Sequence, residues 1–185
     1  MANRLSWLIS AVLLLAWAPD ASAQFWSAPG FVGIVDEADT SMHVFGSNGA
    51  VAIRSSVSRG TLNVRYPILV GGFGAFQPGP SDCTQIRVIV RDPGPGARVI
   101  VRLVGLGIGG EAVIGELRTL AEFDSDTRAP SGNQYVKYSA CFNQEPGPHG
   151  DYTYFMEAAL IKSTATANPG LMSLQICSSD DACEP

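Results

Sequence analysis

Histidine is almost missing from this chain of 185 residues: His43 and His149 are the only two, and neither stands in an H-E-x-x-H or G-x-S-x-G context. Zinc hydrolysis and elbow-type serine chemistry therefore lack their usual residues. Basic residues are also few, with 12 Lys and Arg against 17 Asp and Glu. A nucleic-acid partner needs a concentrated basic surface, which this balance does not supply. No second long apolar run follows the first 23 residues, so no membrane insertion is expected beyond them. Only one tryptophan, Trp26, lies beyond that segment.

The one long apolar run is short for a span. Arg4 precedes an apolar region of 13 residues, Leu5 to Trp17, and Ala21-Ser22-Ala23 fits a small-residue cleavage site. Residues 1–23 read as a cleavable signal peptide, with Gln24 starting an exported protein that is secreted or periplasmic. No cysteine follows the cut, which argues against a lipid anchor there. Cleavage leaves 162 residues, enough for one domain with a core, and removes Arg4 and Asp20, so the net charge stays at −5.

What the chain has in quantity is Val and Ile in alternation. Arg87 to Arg102 reads R-V-I-V-R-D-P-G-P-G-A-R-V-I-V-R, two identical pentapeptides around a Pro/Gly turn. Ile86, Val88 and Val90 share one face, matched by Val99, Val101 and Leu103 on the second copy. Arg87, Ile89, Arg91, Arg98, Ile100 and Arg102 take the other. The expected arrangement is a hairpin. A symmetric register would oppose Arg91 to Arg98 and Arg87 to Arg102, so a two-residue slip with Ile89 opposite Arg98 is preferred.

Further short strands are expected at Phe31–Val35, Met42–Phe45, Ala50–Ser55, Thr61–Val70, Tyr135–Phe142, Tyr152–Ile161 and Leu171–Cys177. Pro67 places its run on a sheet edge or at a bulge. Glu157 to Leu160 are good helix formers, but flanking turns and two aromatic faces favour strand. Asn168-Pro169-Gly170 suits a type II turn. The fold class is all-β: a single antiparallel β-sandwich of about eight or nine short strands over residues 31–177. A flexible leader covers 24–30, and an acidic, disulfide-tethered tail covers 178–185.

Gly105-Leu-Gly107-Ile-Gly109-Gly110 resembles the dinucleotide-binding fingerprint G-x-G-x-x-G. Val113, Ile114, Leu117, Leu120 and Ala121 fall on one helical face after it, and the resemblance implies a pyrophosphate at a helix start. It covers about a tenth of the chain and lacks the second strand whose acid would hold the ribose. A glycine-rich turn followed by a strand at Ala112–Phe123 is preferred, with a short helix there as the alternative. No cofactor is expected.

Four groups of side chains could carry chemistry. Arg87, Arg91, Arg98 and Arg102 form a candidate anion-binding face, against the plainer reading of a solvated face paired with Glu111, Glu116 or Glu122. Asp124 and Asp126 begin like a calcium loop but lack a third ligand and the glycine. Asp36-Glu37-x-Asp39 and Asp180-Asp181-x-x-Glu184 are further acidic clusters. Tyr152 and Tyr154 share a face about 6.6 Å apart, as a sugar platform or as core. Cys83, Cys141, Cys177 and Cys183 imply two disulfides in an exported chain. The favoured pairs are Cys177–Cys183 and Cys83–Cys141; the rival joins Cys141 to Cys177.

These observations point to a non-enzymatic exported module, surface-structural or binding a ligand such as a glycan or cell-surface component. The alternative is a polysaccharide hydrolase with paired carboxylates, which the sequence cannot localise because its two acids need not be neighbours.

Overall fold

The computed structural model describes residues 26–68, 84–110, 112–142 and 152–177, without the side chains of Thr84, 140–142 and Cys177. The signal segment, the acidic tail, His149, Cys83 and Cys183 lie outside the described residues.

Eleven strands are present among the described residues: β1 (Trp26–Pro29), β2 (Ile34–Val35), β3 (His43–Phe45), β4 (Val51–Ile53), β5 (Gly60–Ile68), β6 (Thr84–Arg91), β7 (Ala97–Gly107), β8 (Leu117–Asp124), β9 (Val136–Phe142), β10 (Tyr152–Lys162) and β11 (Gly170–Cys177). Two antiparallel sheets pack face to face. One runs β3-β4-β11-β6-β9, with β1 also pairing β11; the other runs β2-β5-β10-β7-β8. There are no long helices among the described residues, only short 3₁₀ turns. The expected antiparallel β-sandwich is the observed fold, with more strands than expected.

The alternation in each strand sets its inward face. Ile86, Val88 and Val90 of β6, Val99, Val101 and Leu103 of β7, and Met156, Ala158 and Leu160 of β10 are fully buried in one core with Leu62, Val64, Leu174 and Ile176. Tyr66 also lies inside, its hydroxyl donating to the Gly30 carbonyl at 2.8 Å. Burial pushes that hydroxyl's pKa well up. Tyr152 and Tyr154 resolve as core packing: Tyr154 is buried, Tyr152 packs against the same cluster, and their rings are 6.4 Å apart.

The expected hairpin is the main correction. β6 and β7 do not pair: β6 lies between β11 and β9, and β7 between β10 and β8, in the opposite sheet. The slipped register therefore has no counterpart. Both copies of V-I-V present the same buried face, and a chain that crosses the sandwich at the turn sets those faces opposite each other across the core. The turn chemistry stands. Gly94 and Gly96 adopt φ of 101° and 92°, and the Asp92 carboxylate accepts from Gly94 N at 2.9 Å.

Two other expectations change. Residues 26–29 of the leader form β1, because part of the β11 edge is left open beside β4 and Ala28 becomes buried there. After the glycine run no helix follows. Residues 112–116 turn, and β8 begins at Leu117, paired with β7. Gly107 serves that turn, since a Cβ would stand 2.2 Å from the Val113 carbonyl oxygen. Val113, Ile114 and Leu117 are exposed at the hairpin tip, whereas Leu120 is buried. Pro67 fits as expected. β2 covers β5 only at Val64 and Arg65, so one side of β5 is open at Pro67.

Candidate functional site

The outer faces of the two sheets differ in charge. On the five-stranded sheet one row reads Arg65, Glu157, Arg102, Glu122 across β5, β10, β7 and β8. Signs alternate, and neighbours pair: Arg102 Nε donates to Glu122 at 2.6 Å and Arg65 Nε stands 3.6 Å from Glu157. Arg98 holds Asp124 through two nitrogens and reaches Asp126 at 3.3 Å. That hydrogen bond holds the Asp124 carboxyl below its ordinary range, against desolvation. The candidate calcium pair Asp124 and Asp126 thus has a guanidinium where an ion would sit. A lowered carboxyl is also the reverse of what a general acid requires.

The four arginines do not form one face. Arg98 and Arg102 lie on the five-stranded sheet, Arg87 and Arg91 on the six-stranded one. Asp36 and Asp39 are engaged in loop structure: Asp36 accepts from Ala38 N, and the nearly buried Asp39 accepts from the backbone and side chain of Asn63. Among the described residues no three His, Cys, Asp or Glu side chains cluster to hold a metal.

The cysteine framework is corrected as well. Among the described residues no disulfide is present at bonding distance. Cys141 and Cys177 are each registered opposite Gln85, on either side of β6. Two strand spacings, roughly 9.5 Å, separate them, beyond the ~7 Å that a bridge allows between Cα atoms.

The strands of the six-stranded sheet carry Arg87, Arg91 and Lys137 and no carboxylate at all. Its outer row runs Val44, Ala52, Gly170, Arg91 across β3, β4, β11 and β6. Tyr135, one residue before β9, lies next in that row. The Arg91 guanidinium sits 5.1 Å from the Tyr135 ring centroid, and its Nε donates to the Asn168 carbonyl at 2.9 Å. Gly170 makes room for the ring. A Cβ there would stand 2.6 Å from the Tyr135 hydroxyl. Gly170 is not among the glycines with positive φ, so the N-P-G segment is not the type II turn expected; the glycine is there for space.

These residues line a groove of about 310 Å³, near the lower end of small-molecule sites. Small residues (Gly46, Ala50, Ala52, Ser55) leave the space, and Asn48, Arg91, Tyr135 and Asn168 supply polarity. Sequence reasoning included Arg91 but missed Tyr135, Asn48 and Asn168. The available signal was a tyrosine at the polar start of a strand and an N-P-G before the central strand of the same sheet.

The described residues thus form an antiparallel β-sandwich with a polar groove on the sheet whose strands carry no carboxylate. No protein-family model matches the chain, and no curated protein matches it in sequence. Among solved structures it is similar to a carbohydrate-binding module CBM36 in complex with calcium and xylotriose, at 13% identity and TM-score 0.42, covering 82% of this chain and 98% of that one. A CBM36-1 domain of a multidomain xylanase from the hindgut metagenome of Trinervitermes trinervoides gives 13% identity and TM-score 0.41, covering 82% and 94%. The K3 cleaved adhesin domain of Lys-gingipain from Porphyromonas gingivalis w83 gives 14% and 0.42, covering 83% and 98%.

Proposed function

We propose that this chain is an exported, non-catalytic glycan-binding module, delivered by residues 1–23 and using the groove between the β3–β4 hairpin and Tyr135. The observation that carries this reading is the aromatic ring fixed across Gly170 by Arg91, with two asparagines and a serine nearby. A sugar ring has an apolar face and a polar rim. An immobilised aromatic meets the first, and planar amide and guanidinium groups meet the second. The carboxylates whose partners are resolved are tied to arginines, a serine or backbone amides, which favours binding over hydrolysis.

The test is a polysaccharide and glycan array probed with the exported protein. Tyr135→Ala should remove binding, and Gly170→Ala should weaken it by displacing the ring, each with the fold retained by circular dichroism. Binding that survives both substitutions would place the ligand elsewhere and end this reading.

A further inference from the structure

We infer that the saccharide recognised in this groove is acidic, its carboxylate or sulfate gripped by the two terminal nitrogens of Arg91. The inference rests on the glycan-binding reading above and goes further, to the class of sugar.

Among the described residues Arg91 is the only charged one lining the groove. Its Nε is committed to the Asn168 carbonyl, which fixes the plane of the guanidinium. Its terminal nitrogens have no hydrogen-bond or ion-pair partner among the described residues. By contrast, Arg98, Arg102 and Arg65 on the opposite sheet each face a carboxylate. A guanidinium held by one edge presents the other as a fork matched to two anionic oxygens.

The surroundings add to this. Lys137 shares the face, and Arg87 lies further along β6 with Nε and Nη1 buried and without acceptors among the described residues. No carboxylate on any strand of this sheet offsets them. In a chain of net charge −5, the strands of this sheet carry an excess of positive charge among the described residues. Neutral sugars would use the tyrosine and amides and leave Arg91 unanswered; an acidic sugar uses all of them.

Affinity electrophoresis of the full exported protein in gels containing polygalacturonate, a sulfated galactan, xylan or mannan tests this. Wild type should be retarded by one or both acidic polymers, at least about tenfold more strongly than by the neutral ones. Comparing the two acidic gels identifies carboxylate or sulfate, and either outcome supports the inference. Arg91→Gln should lose that preference. Arg91→Lys, which keeps the charge without the fork, should fall between and guards against a folding defect in the first variant. Raising salt from about 0.05 to about 0.5 M should weaken retardation by the acidic polymers only. Preferential retardation by neutral polymers, unchanged in Arg91→Gln, would overturn the acidic-sugar inference and leave the glycan reading intact. Retardation by none of the four, together with silence on the glycan array, would overturn both.

Discussion

The two outer faces of this sandwich solve the same problem differently. On the five-stranded sheet, Arg65, Glu157, Arg102 and Glu122 follow one another across neighbouring strands, so each charge meets its opposite and the row cancels. On the six-stranded sheet the corresponding row is Val44, Ala52, Gly170, Arg91, three small or apolar residues and one cation with its fork unused. The first pattern is what a solvated surface needs to stay soluble and inert. The second keeps space and charge in reserve. The strands of the five-stranded sheet carry more arginines than those of the six-stranded one, yet it is the positions of the carboxylates that set the difference.

This comparison can be broken from its shared base outward. Leu160→Ala on the inner face of β10 and Leu174→Ala on that of β11 should each cost about 2–5 kcal/mol in urea unfolding, because both residues are fully buried in one core. Equal losses would show that the faces are decorations of a single cooperative unit; separate transitions would show two.

Ser125→Ala should cost less, about 1–3 kcal/mol. Its hydroxyl donates to the Asp92 carboxylate and accepts from Val99 N at 2.8 Å, all buried, so removal strands one carboxylate oxygen and one amide. Thermal denaturation reads the effect.

Acid should act on the five-stranded face through Asp124. The Asp124 carboxyl has a native pKa below its unfolded value, so its contribution is fully present above about pH 4 and is lost as pH falls through the lowered native pKa. Tm of wild type should therefore drop on acidification more than that of Asp124→Asn, which has already lost the contribution. Parallel curves would show that the Arg98 pairing does not contribute.

The smallest effect is expected from Glu122→Gln. Its pair with Arg102 is well exposed on both sides, and such pairs are worth about 0–1 kcal/mol. Its use is to sharpen the contrast: freeing Arg102 in this way should not create acidic-polymer binding on the five-stranded sheet, since Arg102 lacks the Tyr135 ring and the asparagines that flank Arg91.

Much of the fold was legible because period-two alternation reports which side chains point inward. Ile86, Val88, Val90, Val99, Val101 and Leu103 are buried as their phase implied. The strand expected at Tyr152–Ile161 is β10, Tyr152–Lys162, despite its helix formers, because β10 is central and paired on both sides. Alternation carries no information on which sheet a strand joins, and that is why β6 and β7 were read as partners. β1 was missed for a related reason. Trp26–Pro29 contains a proline and no alternating run, and it is a strand only because β11 has an open edge. Half of the groove was visible as Arg91. Tyr135 and Gly170 were not, since they are 35 residues apart and meet only once β9, β6 and β11 lie side by side.

The duplicated R-V-I-V-R poses one more question, of folding rather than of binding. The two copies sit in opposite sheets and bury identical faces, so to a collapsing chain they are interchangeable parts with no address of their own. Exchanging them would preserve every valine, isoleucine and arginine contact that the pentapeptide makes. What tells them apart must lie just outside it. Asp92 follows only the first copy, and its carboxylate is claimed by Ser125, which in turn receives the amide of Val99 in the second. That three-residue latch ties the turn after the first copy to the second, one feature by which the two identical pentapeptides differ.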